Sequence, residues 1–220
     1  MLAHAWARHR SLVQFVWRFA LIFVLLIIPW PGWNKTYDHY FRALGELAFS
    51  RDDNKRLVRF TAPPEQPGHP ELTTQMTLGN RDLMGANGTG LGEVVDLDTR
   101  SIGWVPTALT VSLILATPIG WRRKAWAMFW GLLLVHGFIL FSLQTWIWNE
   151  EPELSLLTLS PLAKQIVDDT QYLLITQLGA SFSVPVLIWL LVSFRREDFS
   201  AGETRPSSKA RIAGREKIRS

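Results

Sequence analysis

Residues 102–124 read IGWVPTALTVSLILATPIGWRRK, an apolar run that ends abruptly at three adjacent positive charges. Pro118 and Gly120 interrupt the run, and a second apolar run starts directly after Lys124. Proline and glycine are typical of the end of a helix, and a short connection joins antiparallel helices. We therefore predict a tight helical hairpin whose two helices are joined by a turn at 120–124.

Four long apolar runs occur along the chain. They cover residues 12–30, 102–119, 125–148 and 172–194. The hydrocarbon core of a bilayer is about 30 Å thick, and a helix needs about 20 apolar residues to cross it. The chain also has 11 tryptophans, a residue enriched where hydrocarbon meets lipid headgroups. The sequence predicts a mainly α-helical membrane protein with four transmembrane helices.

Positive charge is distributed unevenly among the segments between these runs. Segments 1–11, 120–124 and 195–220 together hold 13 Lys and Arg against 4 Asp and Glu, whereas 34–101 and 149–171 hold 9 against 15. The positive-inside rule then predicts an inner (plasma) membrane protein with a cytoplasmic N-terminus and a basic, disordered cytoplasmic tail. Anionic lipid headgroups account for the basic tail, so we expect the lipid bilayer as a partner and no nucleic acid.

The segment 34–101 is predicted to be an extracytoplasmic domain. Residues 35–49 form an amphipathic helix in this interpretation, lying on the membrane or under the domain, because apolar residues recur there at helical spacing. That predicted face consists of Tyr37, Tyr40, Phe41, Leu44 and Ala48. Residues 55–98 are β-rich: short runs of Val, Leu, Phe and Thr at 55–62, 73–78 and 92–98, bounded by Pro and Gly, predict a small antiparallel sheet.

A second extracytoplasmic loop is predicted at 149–171. It begins with an acidic stretch and then places Ser160 before Pro161, a pattern typical of a helix N-cap and first turn. This helix is expected to continue into the last apolar run.

Three polar side chains fall inside the predicted spans and form a speculative intramembrane polar site. His136 lies near the middle of the third run and Gln144 near its outer end, while Arg18 lies in the first run. A histidine in a membrane relays a proton, binds a metal or pairs with another polar group. The simpler interpretation is a histidine packed in a helix interface and an arginine reaching toward the headgroups. Both remain open from sequence.

Other chemistry finds little support in the residue pattern. The chain has no cysteine, which excludes disulfides, thiolate nucleophiles and cysteine metal sites. Its histidines lack zinc-binding spacing, and the glycine-rich stretch 79–92 lacks the Gly-Lys-Ser/Thr ending of a phosphate-binding loop. We predict no catalytic residues, no cofactor and no metal.

Two groups of short motifs carry a resemblance. The first is IPWPG at 28–32 with YFRALG at 40–45, and the second is GWVPTAL at 103–109 with LATP at 115–118 and WRRKAW at 121–126. Together they resemble uncharacterised bacterial inner-membrane proteins, some of which are accessories of exosortase-type protein-sorting systems. Exosortases use a cysteine nucleophile that this chain lacks, so the resemblance implies an envelope setting and an accessory role, not that activity.

Two functional hypotheses follow. The favoured one is a non-enzymatic integral inner-membrane accessory or scaffold protein, whose outer domain engages a membrane or periplasmic protein partner in envelope assembly, protein sorting or export. The alternative is a membrane-embedded enzyme or small transporter subunit with a site around His136. The sequence leaves the partner and the oligomeric state open.

Overall fold

Helices and a three-stranded sheet make up the computed structural model, which describes residues 2–28, 30–50, 56–63, 73–84, 90–150, 160–172 and 179–194. The helices are α1 (Leu2–Ile27), α2 (Trp33–Phe49), α3 (Val105–Ala116), α4 (Trp121–Glu150), α5 (Pro161–Gln171) and α6 (Ala180–Ser193). The strands are β1 (Arg56–Thr61), β2 (Thr74–Met84) and β3 (Gly90–Leu97), and a π-helical turn, Arg100–Trp104, leads into α3.

Helix α3 lies at the centre of a bundle with α1, α4 and α6. Nine of its twelve residues are buried, so its hydroxyl groups must find partners away from water. The hydroxyls of Thr107, Thr110 and Ser112 each donate to the carbonyl four residues earlier, at 2.8, 2.9 and 2.6 Å. Helix α4 approaches closely because Gly131 has no side chain: a Cβ there would lie 2.6 Å from Ile114 Cδ1.

Cationic side chains cap the C-termini of three bundle helices. They donate to last-turn carbonyls as follows: Lys124 to Leu115 at 2.8 Å, Arg123 to Ser193 at 2.8 Å, and Arg100 to Ile27 at 3.0 Å. Such carbonyls lack donors within their own helix and carry partial negative charge. A cationic side chain supplies a hydrogen-bond donor and also a favourable positive charge. The basic cluster before the third apolar run thus forms the first turn of α4 and holds the ends of α3 and α6.

The sheet is antiparallel with strand order β1-β2-β3, and α2 covers one of its faces. Its core also includes the C-terminal half of α4. The buried core residues are Tyr37, Phe41, Phe49, Val58, Phe60, Met76, Leu78, Leu97, Ile139, Leu143 and Ile147. A Cβ on Gly45 would lie 2.9 Å from the Phe60 ring, so a glycine is needed for α2 to lie this close to β1. Helix α4 therefore belongs to both the bundle and the sheet domain.

The prediction of four transmembrane helices is wrong. Among the described residues, only the helix at Trp121–Asn149 is long and apolar enough to cross a membrane, and the other apolar helices are Leu12–Ile27, Arg100–Ala116 and Ala180–Ser193. At 1.5 Å per residue these three are about 21–26 Å long, short of the roughly 30 Å of hydrocarbon.

The apolar runs were longer than the helices for identifiable reasons. Trp30 follows the end of α1, and the backbone leaves the helix at Thr117, before Pro118. The fourth run, 172–194, is not one described helix, because α5 ends at Gln171 and α6 starts after Gly179, whose φ is +47°. Residues 173–178 and the predicted tail 195–220 lie outside the described residues. The cytoplasmic placement of the termini, argued across four crossings, stays a prediction.

Several local predictions can be compared directly with the elements. The hairpin of α3 and α4 is confirmed, although its turn is at Thr117–Gly120 and not at 120–124. Ser160 caps α5, accepting from the Ala163 N–H at 3.3 Å. The buried side of α2 differs from the predicted face. Tyr40 and Ala48 are exposed, because the contact with the sheet uses residues four apart: Tyr37, Phe41, Gly45 and Phe49.

Candidate functional site

The three-stranded sheet has one face covered by α2 and one face open. Side chains alternate across a strand, so Val58 and Phe60 point toward α2 while Arg59 and Thr61 are exposed on the other side. The strand register places Arg59 opposite Thr77, and Thr77 opposite Val94. We call the outward residues the open face: Arg59, Thr61, Gln75, Thr77, Val94 and Asp96.

The six residues of the open face are polar except for Val94, and Leu57, on the same side of β1, is half-buried. Arg59 on β1 and Asp96 on β3 carry opposite charges, and Val94, two residues before Asp96, is 52% exposed. Within the described strands, the outer edges of β1 and β3 have no further strand beside them. Exposed edges offer backbone donors and acceptors to an added strand, and alternate side chains then select the sequence that binds. This arrangement suits a protein or peptide ligand.

A polar network holds α2 against the sheet beneath this face. The Thr99 hydroxyl donates to the Asp38 carboxylate, so the Thr73 hydroxyl must donate to Thr99, at 2.6 Å. Arg42, one turn after Asp38, donates to the Thr73 carbonyl at 3.0 Å. Thr99 is fully buried. The network fixes the position of α2 and so supports the open face from behind.

Tyr37 lies where α2 meets the start of α3. Its ring makes an edge contact with Trp104, with centroids 5.2 Å apart. Gly103 lies against the tyrosine hydroxyl, since a Cβ at this position would be only 2.5 Å from it. Burial raises the pKa of Tyr37 far above its usual value, although a hydrogen bond with Thr107 opposes the shift. The hydroxyl therefore remains protonated and serves packing.

His136 is half-buried on α4 at the edge of α2. Its Nδ1 lies 2.8 Å from the carbonyl oxygen of Leu132, and since a carbonyl only accepts, Nδ1 must carry the proton. The ring meets that of Tyr40 edge-on, with centroids 5.9 Å apart. Both contacts orient the imidazole between α4 and α2.

The structure does not bring the three speculative site residues together. Gln144 is half-buried two turns beyond His136 on α4, about 12 Å along the helix axis. Arg18 is exposed on α1, which packs against α3. Among the described residues, no three His, Asp or Glu side chains come close enough to share a metal ion.

Sequence reasoning missed the open face and the Asp38 network. The open face was within reach, because the alternation that predicts strands also predicts which residues point outward. The network was not, because residues 61 positions apart, Asp38 and Thr99, meet only after α2 folds against the sheet.

Comparison with known proteins adds no relative: no family model, curated protein or solved structure matches the chain. The resemblance to envelope proteins therefore stays a prediction.

Proposed function

We propose that this protein is a non-enzymatic accessory protein of the bacterial inner membrane, anchored by its bundle and binding a partner protein through the open face. The observation that carries the proposal is the apolar exterior of the bundle. Only 28% of the most apolar stretch of α4 is buried. The core helix of a water-soluble domain is mostly buried instead, because exposed apolar surface is unfavourable in water.

Large exposed apolar side chains on three helices form what we call the belt. It comprises Leu12, Val13, Val16, Trp17, Leu21, Val24 and Leu25 of α1, Trp126, Phe129, Trp130, Leu133 and Leu134 of α4, and Phe182, Val186, Leu187, Leu190 and Leu191 of α6. Exposed tryptophans stand at both ends, Trp121 at the start of α4 and Trp30 after α1. Tryptophan is a residue enriched where hydrocarbon meets lipid headgroups.

The absence of cysteine allows a clean test of the anchor. Single-cysteine variants Leu187→Cys in the belt and Val94→Cys on the open face are treated with a membrane-impermeant maleimide in sealed vesicles of both orientations. We expect Val94→Cys to be labelled and Leu187→Cys to be protected until detergent and denaturant are added. Equal labelling of both cysteines in intact vesicles would refute the membrane anchor.

Partner binding needs a separate test on the open face. A photo-crosslinking amino acid at Val94 should give a discrete protein adduct in living cells, and Arg59→Glu should abolish it by reversing a charge on the same face, two strands away. The same cross-linker at Leu187 is the matched control and should react with lipid alone. An adduct that survives Arg59→Glu, or that forms equally from Leu187, would contradict the assigned surface.

A further inference from the structure

A groove of about 660 Å³ opens at the end of the bundle that carries the basic cluster. Its walls come from α1, α6 and the turn between α3 and α4. The lining residues are Leu12, Phe15, Thr117, Pro118, Ile119, Gly120, Arg123, Trp189, Ser193 and Phe194. Most of these are apolar, and the groove is large enough for part of an acyl chain.

Trp189 shapes the apolar wall of this groove. Its indole stacks on Phe15 of α1 with centroids 5.7 Å apart and meets Phe194 edge-on at 5.4 Å. Its Nε1 donates to the Thr117 hydroxyl at 2.8 Å, which fixes the ring. Since the Thr117 hydroxyl donates in turn to the Leu113 carbonyl, the indole N–H and this hydroxyl are both paired within the protein.

The mouth of the groove favours an anion. Arg123 lines it, and none of the lining residues is acidic. Gly120 accepts the first hydrogen bond of α4, from the Lys124 N–H, so the N-terminus of a 30-residue helix, with its partial positive charge, lies at this point. An independent sign comes from Ser193, which is 1% exposed and whose hydroxyl has no hydrogen-bond partner among the described residues. A buried hydroxyl without a partner is costly, and a ligand oxygen would satisfy it.

We propose that this groove binds an anionic phospholipid, with the phosphate at the start of α4 beside Arg123 and Ser193 and an acyl chain along Phe15 and Trp189. The charge of the mouth selects the phosphate, and the aromatic wall selects the chain. The site rests on the proposed membrane anchor, because the lipid reaches the groove from the bilayer in which the belt lies.

Gly120 offers the sharpest test, since a Cβ there would meet nothing within 4 Å. The full chain is purified in mild detergent and titrated with phosphatidylglycerol or with phosphatidylcholine of the same acyl chains, and bound lipid is counted by native mass spectrometry. Wild type should prefer phosphatidylglycerol by about tenfold, and Gly120→Glu should remove that preference through charge repulsion while the equally large Gly120→Gln keeps it. No preference in wild type, or equal loss in both variants, would overturn the proposal.

Ser193→Ala separates a ligand contact from a structural one. We expect it to weaken phosphatidylglycerol binding about threefold, the loss of one hydrogen bond, with stability unchanged or slightly raised. Unchanged lipid binding together with lower stability would assign the hydroxyl to packing and overturn this part of the site. Binding of inorganic phosphate as strong as that of phosphatidylglycerol in the same titration would overturn the choice of ligand. If both Gly120 variants stay in the membrane fraction, the anchor stands whatever the lipid result.

Discussion

The bundle and the sheet domain share helix α4 but bury it in different ways. In the sheet domain, Leu143 belongs to a core that is apolar inside, and the open face outside it is polar. In the bundle, α3 is buried on all sides, yet the helices around it are also apolar on the outside, as at Leu133. A polar exterior suits water, whereas an apolar exterior is stable only against lipid or protein.

This difference shows that the two halves of one helix can pack in two different environments, the bundle and the sheet domain. The two halves of α4 have similar amino-acid sequences in that both are largely apolar. Their neighbours distinguish them: α3 and α6 on one half, α2 and the sheet on the other.

The largest expected effect compares the same substitution in the two halves of α4. Leu143→Ala removes a side chain that is 1% exposed in the sheet-domain core and should lower the free energy of unfolding by about 2–5 kcal/mol. Leu133→Ala, on the belt, should change it by less than about 0.5 kcal/mol. Chemical unfolding in detergent micelles measures both. Equal losses would show that the two halves share one environment.

A smaller effect, of opposite sign at two glycines, tests the junction of the two regions. Gly103→Ala brings a Cβ to 2.5 Å from the Tyr37 hydroxyl and should destabilise the protein by about 1–3 kcal/mol. Gly137→Ala, inside α4 with open space around it, should stabilise by about 0.5–1 kcal/mol, because alanine favours helix. Thermal unfolding gives the sign. A neutral Gly103→Ala would mean that the junction is loosely packed.

The smallest expected effect is a dependence of stability on pH, which comes from Tyr37 in the sheet-domain core. Burial raises the pKa of Tyr37, so the unfolded chain ionises first, and the stability contributed by the protonated tyrosine is complete below pH 10 and is lost above it. Between pH 10 and 11, wild type should lose about 1 kcal/mol more than Tyr37→Phe. Unfolding measured at both pH values checks this. Parallel losses in the two proteins would place Tyr37 in water.

Local patterns predicted the elements whose causes are local. The Ser160 cap, the α3–α4 hairpin and the alternation in β1 each depend on residues a few positions apart. The spans were wrong because apolar character continues past the helix ends, through Trp30 after α1 and through the backbone break at Thr117. The three speculative site residues were grouped by hydropathy alone, and hydropathy carries no information on which helix faces which.

The amino-acid sequence by itself therefore determines the apolar character of the helices, the basic cluster at the start of α4 and the alternation in the strands. Each is a property of short segments, where side-chain chemistry and backbone preference act directly. The double role of α4, the buried face of α2 and the groove beside Ser193 follow from packing between distant segments. These features depend on which surfaces meet, and close contacts such as Gly45 against Phe60 decide that in three dimensions.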